Sequence, residues 1–248
     1  MDISRYREYD AFAWLYNKHW GNQFTPRALA VIDEVVLPQL APGATVLDLC
    51  CGTGQMARIL SERGYHIIGL DGSENMLAYA RQNAPEVHFI PGDARGFTLD
   101  SKVEAIVSVF DSLNHVMSID ELGLVFDSVY RALKKDGIFL FDLNTEAGYV
   151  TNWHGVFGII EDDHVCVIKN SYNTTDKIAL FDATLFRLEQ EWRRSDFTLT
   201  QKCYPVDDIC YGLEKAGFKA VKTYEFSIEN GLKPLSSESG KAFFLCRK

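Results

Sequence analysis

Along residues 46–143 short apolar runs alternate with longer stretches in which apolar residues return every three or four positions. The first run, Val46-Leu47-Asp48-Leu49, suits an inner strand of a parallel sheet that is covered on both faces. It leads into Gly52-Thr53-Gly54, whose glycines allow positive φ and close approach of a ligand to the backbone. A helix opens at Gln55 with Met56, Ile59 and Leu60 on its apolar face, and Gly64 ends it. Next come a strand over 66–71, a helix capped by Ser73 with Met76, Leu77 and Ala80 inward, and a strand over 87–90. A strand over 103–109, a helix over 119–134 and a strand over 138–143 follow. This order, β-α-β-α-β-β-α-β, predicts an open parallel sheet with helices on both faces.

At Glu146 the period changes. Residues 146–205 carry no helical repeat and alternate instead: Val165 and Val167, then Ala183, Leu185, Phe186 and Leu188, then Trp192, Phe197 and Leu199. Asn173-Thr174-Thr175-Asp176-Lys177 and Arg193-Arg194-Ser195-Asp196 have the composition of hairpin turns. A helix opened by Pro205 and Asp207 and closed by Gly217 follows, then strands over 221–228 and 241–247 around a polar loop at 230–240. Upstream, Thr25-Pro26 has the signature of an N-cap and first helical residue, for a helix running to Val36. Residues 3–20 are aromatic-rich, and Tyr9 and Tyr16, two helical turns apart, share a face. The expected fold class is α/β: a doubly wound, seven-stranded sheet from residues 1–145 and 206–248, with an antiparallel β-sheet inserted over 146–205.

Composition narrows the function classes. The 248 residues are 47% hydrophobic and 24% charged, which suits a globular protein with a substantial core. A formal net charge of -9 disfavours a nucleic-acid partner, which selects a basic face. The start Met1-Asp2-Ile3-Ser4-Arg5 is too polar for a secretion signal, and no apolar run approaches the roughly 20 residues that span a bilayer. A cytoplasmic chain without a membrane partner is therefore expected. Six scattered cysteines form no Cys-x-x-Cys pair, so no metal site is expected and reduced thiols fit best.

The glycine turn lacks the Gly-Lys-Ser/Thr ending of a phosphate-binding loop. It fits a dinucleotide motif only with Ala57 in place of the third glycine. Asp48, inside the strand end, repels a pyrophosphate and suits a cationic ligand. Asp71 ends the second strand, where a carboxylate accepts hydrogen bonds from ribose hydroxyls. The segment from Val46 to Gly54 closely resembles motif I of the class I S-adenosylmethionine (SAM)-dependent methyltransferases, departing only in Cys50 where glycine is usual. Tyr9-Asp10-x-Phe12-Ala13-x-x-Tyr16-Asn17, the segment from Asp71 to Ala80, Gly92-Asp93-Ala94 and Lys215-Ala216-Gly217-Phe218 are similar to further segments of that family.

The resemblance implies a Rossmann-like fold, methyl transfer and S-adenosyl-L-methionine as cofactor. It places the cofactor over Gly52 and Gly54, beside Asp48, with its ribose on Asp71 next to Gly72 and its adenine near Met76, Asp93 and Ala94. By the same resemblance Tyr16 reaches the cofactor's carboxylate and Phe110 belongs to the cofactor set.

Phe110-Asp111-Ser112-Leu113-Asn114-His115 lies at the carboxyl edge of the sheet, where doubly wound folds place their chemistry. It resembles the Asp-Ser-Leu-Asn segment of small-molecule methyltransferases and has no prolines, which counts against the family's amide- and adenine-methylating branches. His115 is the candidate catalytic residue, since a histidine titrates near neutrality. The expected partner is a small-molecule acceptor, with residues 146–205 as its lid and Trp153, His154, Tyr172, Phe186, Arg187 and Trp192 as candidate lining. Whether nitrogen, oxygen or carbon is methylated stays open, as does monomer or homodimer. An RNA methyltransferase, a non-catalytic SAM-binding protein and an NAD-dependent oxidoreductase are the alternatives. The last lacks a Tyr-x-x-x-Lys pair.

Overall fold

An eight-stranded sheet and a four-stranded sheet account for all strands of the computed structural model, which describes residues 6–248. The chain begins with α1 (Arg7–Leu15), one turn of π-helix (Tyr16–Trp20) and α2 (Gly21–Val35). The alternating part comprises β1 (Thr45–Leu49), α3 (Gln55–Glu62), β2 (His66–Asp71), α4 (Glu74–Asn83), β3 (His88–Pro91) and β4 (Val103–Ser108). A 3-10 turn (Ser112–His115), α5 (Ile119–Ala132) and β5 (Leu133–Asn144) follow. Next come α6 (Glu146–Asn152), β6 (Gly155–Glu161), β7 (His164–Asn173), β8 (Ile178–Leu188) and β9 (Trp192–Lys202). The chain closes with α7 (Val206–Ala216), β10 (Lys219–Ser227), β11 (Gly231–Pro234) and β12 (Lys241–Arg247).

The large sheet has the order β11-β10-β12-β5-β4-β1-β2-β3. Its β1 to β5 are parallel, and β12 returns antiparallel beside β5. Successive strand residues feed opposite layers. Leu47, Leu49, Ile106 and Phe141 face α5 and α7, while Val46, Ala105, Val107 and Leu140 face α2, α3 and α4. That double burial is why these strands are apolar runs rather than alternating ones. The small sheet, β6-β7-β8-β9, is antiparallel throughout. Its inner residues Cys166, Ile168, Ala183, Leu185, Phe197 and Leu199 pack against Leu15 and Phe12 from the N-terminal helix. The Phe12 ring centroid lies 5.7 Å from those of both Phe181 and Phe197.

Four local expectations are corrected. The seven expected strands gain an eighth, β11, inside the segment expected to be a plain loop; Leu232 pairs with Phe226 after a turn at Gly231, φ +65. Thr25-Pro26 does not start a helix. Pro26 lies inside α2, and the Thr25 hydroxyl donates back to the Gly21 carbonyl, the competing use of a threonine side chain. Residues 146–152 are helical: Thr145 caps them by accepting from the Gly148 N–H, but seven residues are too few to show a period. The turn expected at 193–196 is strand; the hairpin turns at 189–191, and Arg194 and Asp196 form an ion pair along exposed β9. The other hairpin is where expected, with Asn173 Oδ1 accepting from the Thr175 N–H at 2.9 Å and Lys177 at φ +56.

Helix α6 docks through bare backbone. A Cβ built on Gly148 would lie 2.0 Å from the Gly240 carbonyl oxygen, which cannot retreat as a side chain would. Gly148→Ala is expected to destabilise the fold by roughly 1–3 kcal/mol, the cost of overpacking. An unchanged denaturation midpoint would show that the helix is free to shift.

Candidate active site

The turn after β1 runs through Cys50 at φ +61, Gly52 at φ +53 and Gly54 at φ +82. Cys50 holds a left-handed position with a Cβ, at a cost of roughly 1–2 kcal/mol, so this departure from the usual glycine is tolerated rather than free. The turn is tied to β2 by one carboxylate. Asp71 accepts the Gly52 N–H on Oδ2 and the Ser73 N–H on Oδ1, each at 2.9 Å. Above it lies a cavity of about 400 Å3. Its floor includes Asp48, Cys50, Gly52, Asp71 and Gly72, and its far wall includes Thr198, Leu199 and Thr200 of β9.

Asp48 is the unusual group on that floor. It is 2% exposed, and its Oδ2 has no hydrogen-bond partner among the described residues. Burial, with the nearby Asp71 charge, pushes its carboxyl up to about 7 despite a hydrogen bond from the Ala57 backbone. Burial also raises Asp71, against the backbone N–H groups of Ser73, Gly52 and Gly72. An orphaned carboxylate oxygen in a cavity is what a cationic, hydrogen-bonding ligand would satisfy. An adenosyl compound with an ammonium and a sulfonium fits this donor set. Gly72 keeps room for a ring, since a Cβ there would sit only 2.1 Å from the Tyr6 ring, whereas at Gly52 a Cβ would meet Tyr16 at an ordinary 3.6 Å and it is the positive φ that favours glycine. Burial raises Asp93, but the Arg95 side chain and backbone outweigh it and hold the carboxyl below its usual value. Arg95 Nη2 donates to Asp93 Oδ2 at 2.6 Å.

The structure brings Tyr16, Asp48, Gly52, Asp71, Gly72, Met76, Asp93, Ala94, Phe110 and His115 to this cavity. Gly54 is not part of its lining. Its Cβ position lies 3.0 Å from Ala80, so its bareness serves the packing of the turn against α4. Trp153, His154, Tyr172, Phe186, Arg187 and Trp192 do not line the cavity either. Strand alternation puts Phe186 and Trp192 on the outer face of the small sheet, and Trp153 and Tyr172 pack around Tyr149.

Behind the wall lies a polar cluster that pattern reading missed. Phe110 and Asp111 both adopt left-handed backbone, at φ +65 and +50. The Asp111 N–H donates to Asp142 Oδ1 at 2.6 Å. Lys241 Nζ donates to Asp111 Oδ1 at 2.7 Å and Asp142 Oδ2 at 3.1 Å. Gln201, 3% exposed, donates to Asp111 Oδ2 at 2.6 Å and His115 Nε2 at 3.0 Å, and accepts from the Tyr149 hydroxyl at 2.7 Å. Since His115 Nδ1 faces the Thr200 carbonyl at 3.0 Å, it carries the ring proton, and the Nε2 lone pair is taken by Gln201. Burial keeps this imidazole neutral, lowering its pKa against the Asp111 charge and the Thr200 bond. An aspartate within the apolar run 138–143 was the one visible sign of this cluster.

Two outcomes follow. Asp48 titrates near 3.8 when unfolded and about 7 when folded, so the folded chain holds the extra proton between these values and loses stability as pH rises through them. Asp48→Asn should remove that pH dependence, a difference from wild type of about 4 kcal/mol accumulated between about pH 4 and 7. Parallel stability curves for the two proteins would refute it. Lys241→Met leaves two carboxylates uncompensated and should cost about 3–5 kcal/mol, more at high pH, where both would ionise. Denaturant titrations at both ends of that range check this.

Comparison with known proteins gives the family. The model described as "Methyltransferase domain" matches residues 46–137. A putative methyltransferase of Bacillus subtilis, YqeM, is 30% identical over 210 residues, covering 82% of this chain and 83% of its own. A dTDP-3-amino-3,4,6-trideoxy-alpha-D-glucopyranose N,N-dimethyltransferase of Streptomyces venezuelae is 30% identical over 122 residues, 49% of this chain and 51% of its own. In fold, the chain matches the crystal structure of a SAM-dependent methyltransferase from Clostridium acetobutylicum with a TM-score of 0.78 and 21% identity, over 96% of this chain and 98% of that one. With the glycine turn, the orphaned Asp48 and the sheet order already in place, the chain belongs to the class I methyltransferases and is an enzyme that uses S-adenosyl-L-methionine.

Proposed function

We propose that this enzyme methylates a small, partly apolar molecule held between the glycine turn and the small sheet. The observation that carries the reading is the shared cavity, in which Asp48, Gly52 and Asp71 lie opposite Tyr9, Phe12 and Leu199. Aromatic and aliphatic walls interleaved with acidic groups, Glu8, Asp93 and Glu121 among them, suit a small organic acceptor, whereas a polynucleotide needs a basic groove. The amino-sugar specificity named for the Streptomyces relative is consistent with an acceptor of that size.

In this reading Asp48 and Tyr16 hold the amino-acid end of the cofactor, Asp71 its ribose, and Met76, Asp93 and Ala94 its adenine. When bound, the cofactor would supply an electrophilic methyl carbon on sulfur, open to in-line attack by a lone pair with the thioether as leaving group. The residues therefore position two molecules and exclude water, a task of orientation. Residues 146–205 and α1 act as the lid that selects the acceptor, through Thr198, Leu199 and Thr200 of β9 and Tyr9 and Phe12 of α1. His115 is a wall and positioning residue rather than a base. Freeing its Nε2 would leave a buried Gln201 N–H unpaired, at roughly 1–3 kcal/mol. The acceptor accordingly brings an available lone pair of its own.

A screen of small amines, hydroxy acids and phenols for S-adenosylhomocysteine release tests this. Turnover of RNA and of none of these would overturn it, as would tight SAM binding with no turnover of any acceptor class. With an acceptor in hand, Leu199→Ala should change its KM about tenfold and leave SAM affinity within about threefold, or roughly 0.6 kcal/mol. The reverse pattern would put β9 in the cofactor site.

A further inference from the structure

The π turn Tyr16–Trp20 touches both sheets with successive residues. On one side Tyr16 lines the cavity over Gly52. Asn17 Oδ1 accepts from Gln55 Nε2 at 3.0 Å and Asn83 Nδ2 at 2.7 Å, and Asn83 also donates to the Thr53 carbonyl at 2.7 Å. Asn17 is thus bonded directly to the first residue of α3 and, through Asn83, to the glycine turn. On the other side Lys18 Nζ pairs with Asp163 at 2.8 Å, and Trp20 packs on Phe12 and Phe181 at 5.5 and 5.9 Å. His19 Nε2 lies 2.7 Å from Nε2 of the fully buried His164. A π turn inside a helix is uncommon and is frequently a functional feature. Here its first two residues reach the cofactor half and its last three the small sheet.

The proton count at the histidine pair is restrictive. Asp163 Oδ1 faces His164 Nδ1 at 2.6 Å and takes that N–H. His164 Nε2 is then a bare acceptor, and His19 Nε2–H is the donor. With both rings neutral the contact is satisfied. One added proton is tolerated, because a single N–H still lies between the rings. A second puts N–H against N–H and two cations in contact. The charged groups around the pair do not relieve this equally. Lys18 adds a third cation beside His19, and Arg187, over the Trp14 ring at 4.9 Å, is paired with Glu189. Asp163 already serves Lys18 and His164, and Glu161 lies at the end of β6. Burial lowers His19, and His164 and Lys18 lower it further, against Glu161 and Asp163.

We propose that His19 and His164 are positioning residues of the cofactor site: they hold the π turn, and with it Tyr16 and Asn17, against the glycine turn, and release it when both imidazoles are protonated. The pair touches neither cofactor nor acceptor and acts through Tyr16 and Asn17. Its effect falls on cofactor affinity, so it stands or falls independently of which acceptor the enzyme uses.

Calorimetry of S-adenosylhomocysteine binding by wild type, His19→Gln and His19→Ala tests this, from about pH 8 down to about pH 5.5. Asp48 also titrates over this range, but identically in the three proteins, so the comparison isolates the pair. Glutamine keeps an N–H for His164 and has nothing to titrate. His19→Gln should therefore bind within about twofold of wild type at the upper pH and about tenfold more tightly than wild type at the lower. His19→Ala should be about fivefold weaker at the upper pH, for one lost hydrogen bond, and lack the extra acid loss. Parallel profiles for wild type and His19→Gln would overturn the proposal even if the alanine variant did not fold. So would wild-type affinity of His19→Ala at the upper pH.

Discussion

The structure depends on one cation among two carboxylates. Lys241, at the start of β12, reaches Asp111 and Asp142 together. Burial raises Asp142, Lys241 lowers it and Asp111 raises it again, for a net rise. Asp111 is pulled down from its burial-raised value by Lys241, His115 and Gln201, for a net fall. Burying three such groups is not a gain in itself, since desolvation rivals the attraction. What it secures is conformation. Phe110 and Asp111 sit in left-handed backbone that side chains with a Cβ avoid, and such strain persists only where the surroundings over-determine it. Here an N–H bond to Asp142, an ion pair to Lys241 and an amide bond to Gln201 converge on one residue. Because β12 is the last strand, the cavity wall is complete only when residue 241 has paired beside Asn144.

The same cluster sets where the small sheet stands. Gln201 joins Asp111 and His115 on its donor side and Tyr149 and Asn144 on its acceptor side, so its amide is satisfied from both ends. Asn114 donates to the Lys202 carbonyl and His115 meets that of Thr200. These bonds lie at one end of β9, next to the residues that line the cavity. The far edge of the sheet has no such ties: Val156 and Ile160 on β6 are 66% and 81% exposed. The sheet is thus referenced to the cofactor half at the strand that faces it.

The parallel sheet was legible in the sequence because burial on both faces turns each inner strand into an apolar run, and Gly52, Asp71 and Asp93 mark three of its carboxyl ends at regular intervals. The second sheet was legible as strands but not in detail. Its charged β9 start looked like a turn, since Arg194 and Asp196 satisfy each other on an exposed strand much as turn residues would. The acceptor-side guesses failed for a related reason. Large aromatics such as Trp192 and Phe186 draw the eye, yet alternation puts them on the outer face, while the cavity is lined by the successive Thr198, Leu199 and Thr200 of β9, an edge strand. Lys241, Gln201 and the His19–His164 contact were invisible because each joins residues at least 52 positions apart, and no local period encodes such a pairing.

Stability and function meet at Asp48. A buried carboxylate with an unpaired oxygen beside a second carboxylate is a poor choice for an empty fold. Replacing it would ease the apo protein and remove an anionic contact for a cationic ligand on the cavity floor. The cofactor's positive charge therefore completes the electrostatics that the chain leaves open, and by mass action whatever binds the folded state alone also stabilises it.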